Sequence, residues 1–368
     1  MFNFAKKNKK EFMQSQEIKL VLEDGTEFIG KSFGFNKSAA GEVVFNTAMT
    51  GYPENLTDPS YTGQILVATY PLIGNYGVPD EEKENGLLKY FESDKIRITA
   101  LVISDYSFYY SHWNSNKSLA NWLKENKIPG LYGIDTRALT KRLRKKGAML
   151  GKIIYNGNKV DFYDPNKDDL LGQINTDKVI KYGNGKHKII LIDCGVKYNI
   201  IRCFIKRDCT VYRVPANYDF NKEDYDGLFI SNGPGDPKMA ETTINNVKKA
   251  FEKGKPVFGI CLGCQIMALA AGADTYKLKY GHRSHNQPVL KIGTNRCYIT
   301  SQNHGFAIDL KTLPAEWEPI FINVNDNTCE GIKHKTKPFF AVQFHPEASS
   351  GPTDTEYLFD EFLNLVKK

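Results

Sequence analysis

The spacing of apolar positions changes character partway along the chain. Over 18–22 apolar and polar residues alternate, meet Asp24-Gly25, and resume alternation over 26–30. A period of two broken by Asp-Gly predicts a β-hairpin. Further strands are predicted at 41–47, 64–70 and 98–104. Helical spacing is expected over 118–126 and 137–146, the latter capped by Thr136 and stopped by Gly147. From 155 to 188 the periodicity lapses among Asn, Asp, Lys and Gly, which marks a domain boundary. Strands then alternate with helices. Ile189 to Ile192 is a continuous apolar run, as a strand covered on both faces requires. A helix follows at 197–207, with Ile200, Ile201, Phe204 and Ile205 on one face. Strands at 210–214, 227–231, 256–260 and 339–344 and helices at 242–253 and 262–271 continue the alternation.

This pattern predicts a basic tail (1–16), a β-rich α+β domain (17–155), a linker (156–187) and an α/β domain (188–368) with an open, mostly parallel sheet. In such sheets ligands sit at the carboxyl ends of strands. The glycine loop at Gly233 and the residue Cys261 both fall there.

With 368 residues, 41% hydrophobic and 25% charged, the composition is that of a globular protein of about two domains. No run approaches the roughly 18 apolar residues of a membrane span. The lysine-rich start has no apolar core of the kind a secretory signal needs. The net charge of +7 is modest, and the basic clusters at 6–10 and 141–146 accompany no nucleic-acid motif. Seven cysteines at irregular spacing fit free thiols in a reducing, cytoplasmic setting, with an organellar location left open. Neither nucleic acid nor membrane is an expected partner.

The chemistry concentrates at Gly259-Ile260-Cys261-Leu262-Gly263, a G-x-C-x-G segment between a strand and a helix. This has the form of a nucleophile elbow with Cys in place of Ser. At the start of a helix, unpaired amides and the helix dipole favour a negative sulfur. Downstream, His345-Pro346-Glu347 follows another strand. An imidazole there can move a proton and a carboxylate can hold its tautomer. The loop Gly233-Pro234-Gly235 can present amides to an oxyanion, with the amide of Leu262 as second donor. Cys261 and Cys264 also form a C-x-x-C. A zinc site would need a second ligand pair, so no metal is expected; a redox pair stays open but competes with the ready His345 and Glu347. His282 and His285 read as a solvated loop, and His304 as part of a substrate-facing loop after a strand at 298–301. Neither G-x-G-x-x-G nor a P-loop occurs.

Together, 259–263, 231–237 and 345–347 resemble the class I, triad-type glutamine amidotransferases. The segments 41–47, 49–54, 56–61, 70–77, 133–140 and 301–306 resemble the small chain of carbamoyl-phosphate synthase. That resemblance implies a glutaminase. Cys261 would form a thioester with glutamine, His345 would protonate the leaving ammonia and then activate water, and Glu347 would orient His345. Implied glutamine contacts, oxyanion donors included, are Ser60, Gly233, Gly235, Leu262, Gln265, Asn303, Gly305 and Phe306. Implied partners are L-glutamine and a large synthase subunit that uses ATP and Mg, in a heterodimer with higher assembly left open. This chain would bind no cofactor. The product would feed pyrimidine or arginine synthesis. The alternatives are a glutaminase serving anthranilate or GMP synthesis, or a non-catalytic interaction subunit. The family has His where Cys264 stands and a different pattern at 281–288. Cys264 suggests a reversible, inactivating disulfide with Cys261.

Overall fold

The computed structural model describes residues 16–367, so the expected basic tail lies outside the described residues except for Gln16. Backbone packing divides the chain into two units. The first runs to Pro165 apart from Asn85–Leu87, and the second comprises Asn85–Leu87 and the chain from Asn166.

The elements to Pro165 are β1 (Glu17–Leu22), β2 (Glu27–Ser32), β3 (Ala39–Asn46), α1 (Tyr52–Thr57), β4 (Gln64–Ala68), β5 (Lys83–Glu84), β6 (Leu87–Leu88), β7 (Ala100–Ile103), α2 (Leu119–Glu125), β8 (Gly130–Tyr132), α3 (Thr136–Lys146) and β9 (Met149–Tyr155). Strands β1 and β2 form the expected hairpin. The sheet closes into a barrel in the order β1-β2-β8-β7-β4-β3-β9. Alternation explains the packing: Ile65 and Val67 of β4 join Ile18, Leu20, Leu139 and Leu143 in one cluster, while Leu66 joins a second cluster with Phe33 and Trp122. The cap of α3 differs from expectation. Asp135, not Thr136, accepts the helix amide, from Ala138 N at 2.8 Å. Its carboxylate reaches this orphan donor, while Thr136 is buried as the first helical residue.

The second unit holds α4 (Leu170–Ile174), β10 (Ile180–Tyr182), β11 (His187–Asp193), α5 (Tyr198–Ile205), β12 (Cys209–Pro215), β13 (Gly227–Ile230), α6 (Glu241–Lys253), β14 (Val257–Ile260), α7 (Leu262–Ala271), β15 (Asp274–Lys291), β16 (Cys297–Asp309), β17 (Trp317–Asn323), β18 (Cys329–His334), β19 (Phe339–Val342) and α8 (Tyr357–Val366). They build a ten-stranded sheet in the order β10-β12-β11-β13-β14-β19-β18-β17-β15-β16. The α/β architecture is present, but parallel pairing is confined to the centre, from β12 to β19. The other pairings are antiparallel, which makes the sheet mixed. The long β15/β16 hairpin falls where polar residues interrupt the apolar rhythm.

Strand β11 shows the two-sided burial its apolar run requires. Ile190 and Ile192 pack in the cluster that contains Val247 of α6 and Met267 of α7, and Ile189 and Leu191 in the cluster that contains Phe204 of α5 and Phe359 of α8. Part of the stretch expected as linker is folded into this unit. Strand β10 pairs with β12, and Thr176 N donates to the buried Asp193 carboxylate at 2.7 Å. Leu170, Leu171 and Ile174 of α4 are buried as well, but these elements are only three to five residues long, too short to show a periodicity.

Candidate active site

Strands β14 and β19 are parallel neighbours, with Ile260 opposite Val342. Cys261 therefore leaves one strand and His345 the next, at the same carboxyl edge of the sheet. Cys261 has φ 55° and ψ −106° and caps α7. A positive φ is rare for a residue with a Cβ and marks a held, strained turn. Its own amide donates to Val342 O at 2.8 Å, tying the elbow to β19. The flanking glycines have another use than the turn itself. A Cβ on Gly263 would lie 2.2 Å from Ile230 O, and one on Gly259 would lie 2.7 Å from the Gly263 backbone. They let α7 sit directly on β13 and β14, which leaves the strain on Cys261. The first amides of α7, at Leu262 and Gly263, have no intrahelical partner and lie at the Cys261 end of the helix.

His345 and Glu347 are buried, 2% exposed each. His345 Nδ1 and Glu347 Oε1 are 2.7 Å apart. That contact puts the proton on Nδ1 and leaves Nε2 for the thiol. Burial opposes a charge on His345. The negative Glu347, contact with Cys261 and the hydrogen bond to Glu347 outweigh it, and the imidazole is pushed up to about 10. Burial likewise opposes the charge of Glu347, but Lys197 and His345 hold its carboxyl down at about 2. The Cys261 thiol donates to Asn303 O at 3.7 Å.

Several of the expected glutamine contacts converge on this edge. Gly233 follows β13, and a Cβ there would lie 1.8 Å from Cys194 O and 2.8 Å from Leu262 Cδ2, so only glycine fits. Gln265, on the first turn of α7, donates to Phe306 O at 2.8 Å and to Gln343 Oε1 at 3.0 Å. Asn303, Gly305 and Phe306 lie on β16. Gly235 takes φ +85° in the loop after Gly233, beside Leu170. Ser60 lies in the first unit, buried in a short 3-10 turn where its amide donates to Asp58 Oδ1 at 2.9 Å.

Lys197, read from its spacing as a helix residue, is a member of the site. It is buried, its amide donates to Asn232 Oδ1 at 3.0 Å, and its Nζ reaches Glu347 Oε1 at 3.0 Å and Ala348 O at 2.6 Å. The signal was the position: it ends a glycine-containing segment at the carboxyl end of β11. Asn199 adds a bond to Glu347 O.

Two expectations are corrected. The segment at His282 and His285 is not a solvated loop but part of β15, with His282 buried. His282 pairs directly with His304 across β15 and β16. Burial opposes its charge, but hydrogen bonds to Asp326 and Glu330 push it up to about 9. Burial and the charges of Lys197 and His345 lower His285 to about 4. His304 is embedded within β16 rather than following a strand, and burial first, then the neighbouring His282, lowers it well below the ordinary histidine value. Cys264 is the expected disulfide partner of Cys261. It packs in the cluster on one face of the sheet and Cys261 in the cluster on the other. Burial, with Cys329 and Cys261 nearby, raises its thiol well above the ordinary range. All seven cysteines are free.

Residues 190–365 match the family described as glutamine amidotransferase class-I, and residues 20–153 match the CPSase domain of the carbamoyl-phosphate synthase small chain. The chain is 54% identical over 361 residues to the mitochondrial carbamoyl-phosphate synthase (ammonia) of Homo sapiens, covering 97% of this chain and 24% of that protein. It is 55% identical over 355 residues to the multifunctional protein CAD of Squalus acanthias, covering 95% of this chain and 16% of that one. It thus spans a quarter or less of the length of these curated relatives. A solved glutamine amidotransferase from Thermotoga maritima aligns with a TM-score of 0.39 and 18% identity, over 50% of this chain and 86% of the other.

Proposed function

The chain belongs to the carbamoyl-phosphate synthase small-chain family, with a class-I glutamine amidotransferase domain, and from that premise we propose that it is the glutaminase subunit of a carbamoyl-phosphate synthase. The observation that carries the reading is Cys261 held at φ 55° at the head of α7, on the strand next to the one that delivers His345 and Glu347.

The chemistry follows from these positions. Cys261 sulfur attacks the side-chain amide carbon of glutamine as the thiol proton passes to His345 Nε2. The amide oxygen becomes an oxyanion that accepts hydrogen bonds from Leu262 N and Gly235 N. The tetrahedral centre collapses, the C–N bond breaks, and His345 gives its proton to the departing ammonia. A thioester remains. His345 then takes a proton from water, the hydroxide attacks the thioester, the C–S bond breaks, and glutamate leaves as His345 returns that proton to the Cys261 sulfur. Glu347 keeps the imidazole turned and charge-balanced, and Lys197 holds Glu347. Gly233, Gln265, Asn303, Gly305 and Phe306 would position the substrate.

The human relative is named for ammonia. A nucleophile, a base and its carboxylate, all buried together, favour glutamine as the nitrogen source for this chain. Ammonia would pass to a large synthase subunit in a heterodimer, where ATP and Mg are used; no cofactor is needed for the steps above. The compartment proposed is the cytoplasm.

The test is glutamate release from glutamine, with and without the large subunit. Cys261→Ser should abolish it. Comparable residual release would remove Cys261 from the mechanism, and a chain that turns over glutamine only beside an anthranilate or GMP synthase partner would reassign the pathway.

A further inference from the structure

Behind the substrate strand β16 lies a buried set of donor atoms that the glutaminase chemistry leaves unused. His282 on β15, His304 on β16 and Glu330 on β18 place ring nitrogens and a carboxylate oxygen within 4.8 Å of one another, and all three residues are buried. Each histidine has its other nitrogen engaged. His282 Nε2 meets the Asp326 carboxylate at 2.8 Å. His304 Nδ1 meets Phe306 O at 2.8 Å. Carboxylates and backbone carbonyls of this kind fix the tautomer of metal-binding histidines and leave the opposite nitrogen bare.

The hydrogen bonds around the two facing nitrogens, His282 Nδ1 and His304 Nε2, do not close, although His282 Nδ1 also lies 3.5 Å from Glu330 Oε1. Because Phe306 O can only accept, His304 carries its proton on Nδ1 and turns a lone pair from Nε2 toward Gln302 Oε1, 3.0 Å away. That places acceptor against acceptor. Thr300 Oγ1 donates to Gln287 O at 3.0 Å and accepts from Gln302 Nε2 at 3.1 Å, an arrangement in which the amide oxygen faces the histidines. The same oxygen stands 3.1 Å from His282 Nδ1. A second proton on His282 would satisfy that contact, but it leaves the His304 lone pair opposed. It also leaves Glu330 Oε2 without a partner in the interior, a costly arrangement for a buried carboxylate.

We propose that His282 Nδ1, His304 Nε2, Glu330 and Gln302 Oε1 form a binding site for one divalent transition-metal ion of the zinc type. A cation here turns each opposed lone pair into a ligand, and the carboxylates of Glu330 and Asp326 balance its two charges. Zinc bonds of about 2.0–2.2 Å space tetrahedral ligands roughly 3.5 Å apart, so the three atoms need to close by little more than an ångström. Four protein ligands in a buried position make the site structural, with no place for a reacting water. It joins β15, β16 and β18 under Asn303–Phe306.

The test uses the untagged full chain. Metal content is measured after purification, and cobalt is titrated into chelator-treated protein while its ligand-field spectrum is recorded. Expected are about one equivalent of bound ion, a four-coordinate cobalt spectrum without thiolate character, and a zinc-dependent rise in the thermal midpoint. His282→Asn and Glu330→Gln should each weaken binding at least tenfold, and Cys297→Ser, at the exposed thiol, should not. The proposal fails if the wild-type chain holds no metal and binds no cobalt at micromolar concentrations, or if either variant folds and binds as wild type does. If neither variant folds, the wild-type spectrum and thermal shift decide alone. Glutamine turnover does not enter these readouts.

Discussion

At Glu347 one carboxylate oxygen, Oε1, serves two cations, His345 and Lys197. Replacing the charge while keeping the shape isolates that duty. Glu347→Gln should lower kcat for glutamine hydrolysis by roughly 10²- to 10⁴-fold, the range for a general base that loses its orienting partner; a loss below tenfold would count against the assigned role. Lys197 acts one step further out. Lys197→Met breaks a buried pair, whose loss costs about 3–5 kcal/mol when one partner stays behind, and chemical denaturation measures it. Cys264 gives the opposite expectation. Because its side chain packs in the other cluster from Cys261, mild oxidation should inactivate Cys264→Ser as it does wild type, and the variant's protection would revive a disulfide between them. These roles differ in how legible they are. Cys261, His345 and Glu347 stand in short segments whose order along the chain already implies their use. Lys197 looks like any lysine at the start of a surface helix until burial and the 3.0 Å contact are seen.

At the scale of elements, the elbow is a contact between α7 and the strands beneath it. Gly263→Ala would push a methyl to within 2.2 Å of Ile230 O, which is backbone and cannot swing aside. Helix α7 must lift from β13, carrying the Leu262 amide and Cys261 with it. The expected result is a destabilisation of about 1–3 kcal/mol, read by thermal denaturation, and loss of glutamate release out of proportion to it. The strands and helices of the α/β alternation were legible because each is a local apolar pattern: β11, α6 and α7 fall within a residue or two of expectation. The β15/β16 hairpin was not. Its polar residues, including His282, Arg283, Gln302 and His304, are buried by their neighbours, and a polar stretch reads locally as a loop.

For the molecule as a whole, the buried charges make folding depend on pH. Glu347 sits near 2 when folded, against an ordinary 4.5. Its contribution is full above the ordinary value and is lost as pH falls toward 2. His345 sits near 10 against an ordinary 6.5. Its contribution is full below 6.5 and is lost as pH rises through 10. The two therefore favour a stability plateau from about pH 4.5 to 6.5 with sloping flanks. Glu347→Gln should move the alkaline flank to lower pH, because His345 loses the charge that holds its proton; a thermal-midpoint profile unchanged between pH 7 and 10 would contradict this. The sequence by itself determined the two-part organisation, the order of the central β/α elements and the choice of Cys261, His345 and Glu347 as the candidate nucleophile, base and carboxylate. Each is carried by a short run of neighbouring residues. Closure of the barrel, the antiparallel half of the second sheet, the partnership of Lys197 with Glu347 and the meeting of His282, His304 and Glu330 were decided only in the tertiary structure. They depend on strand register and on burial of polar groups, which arise when distant segments pair and leave no periodic trace in the chain.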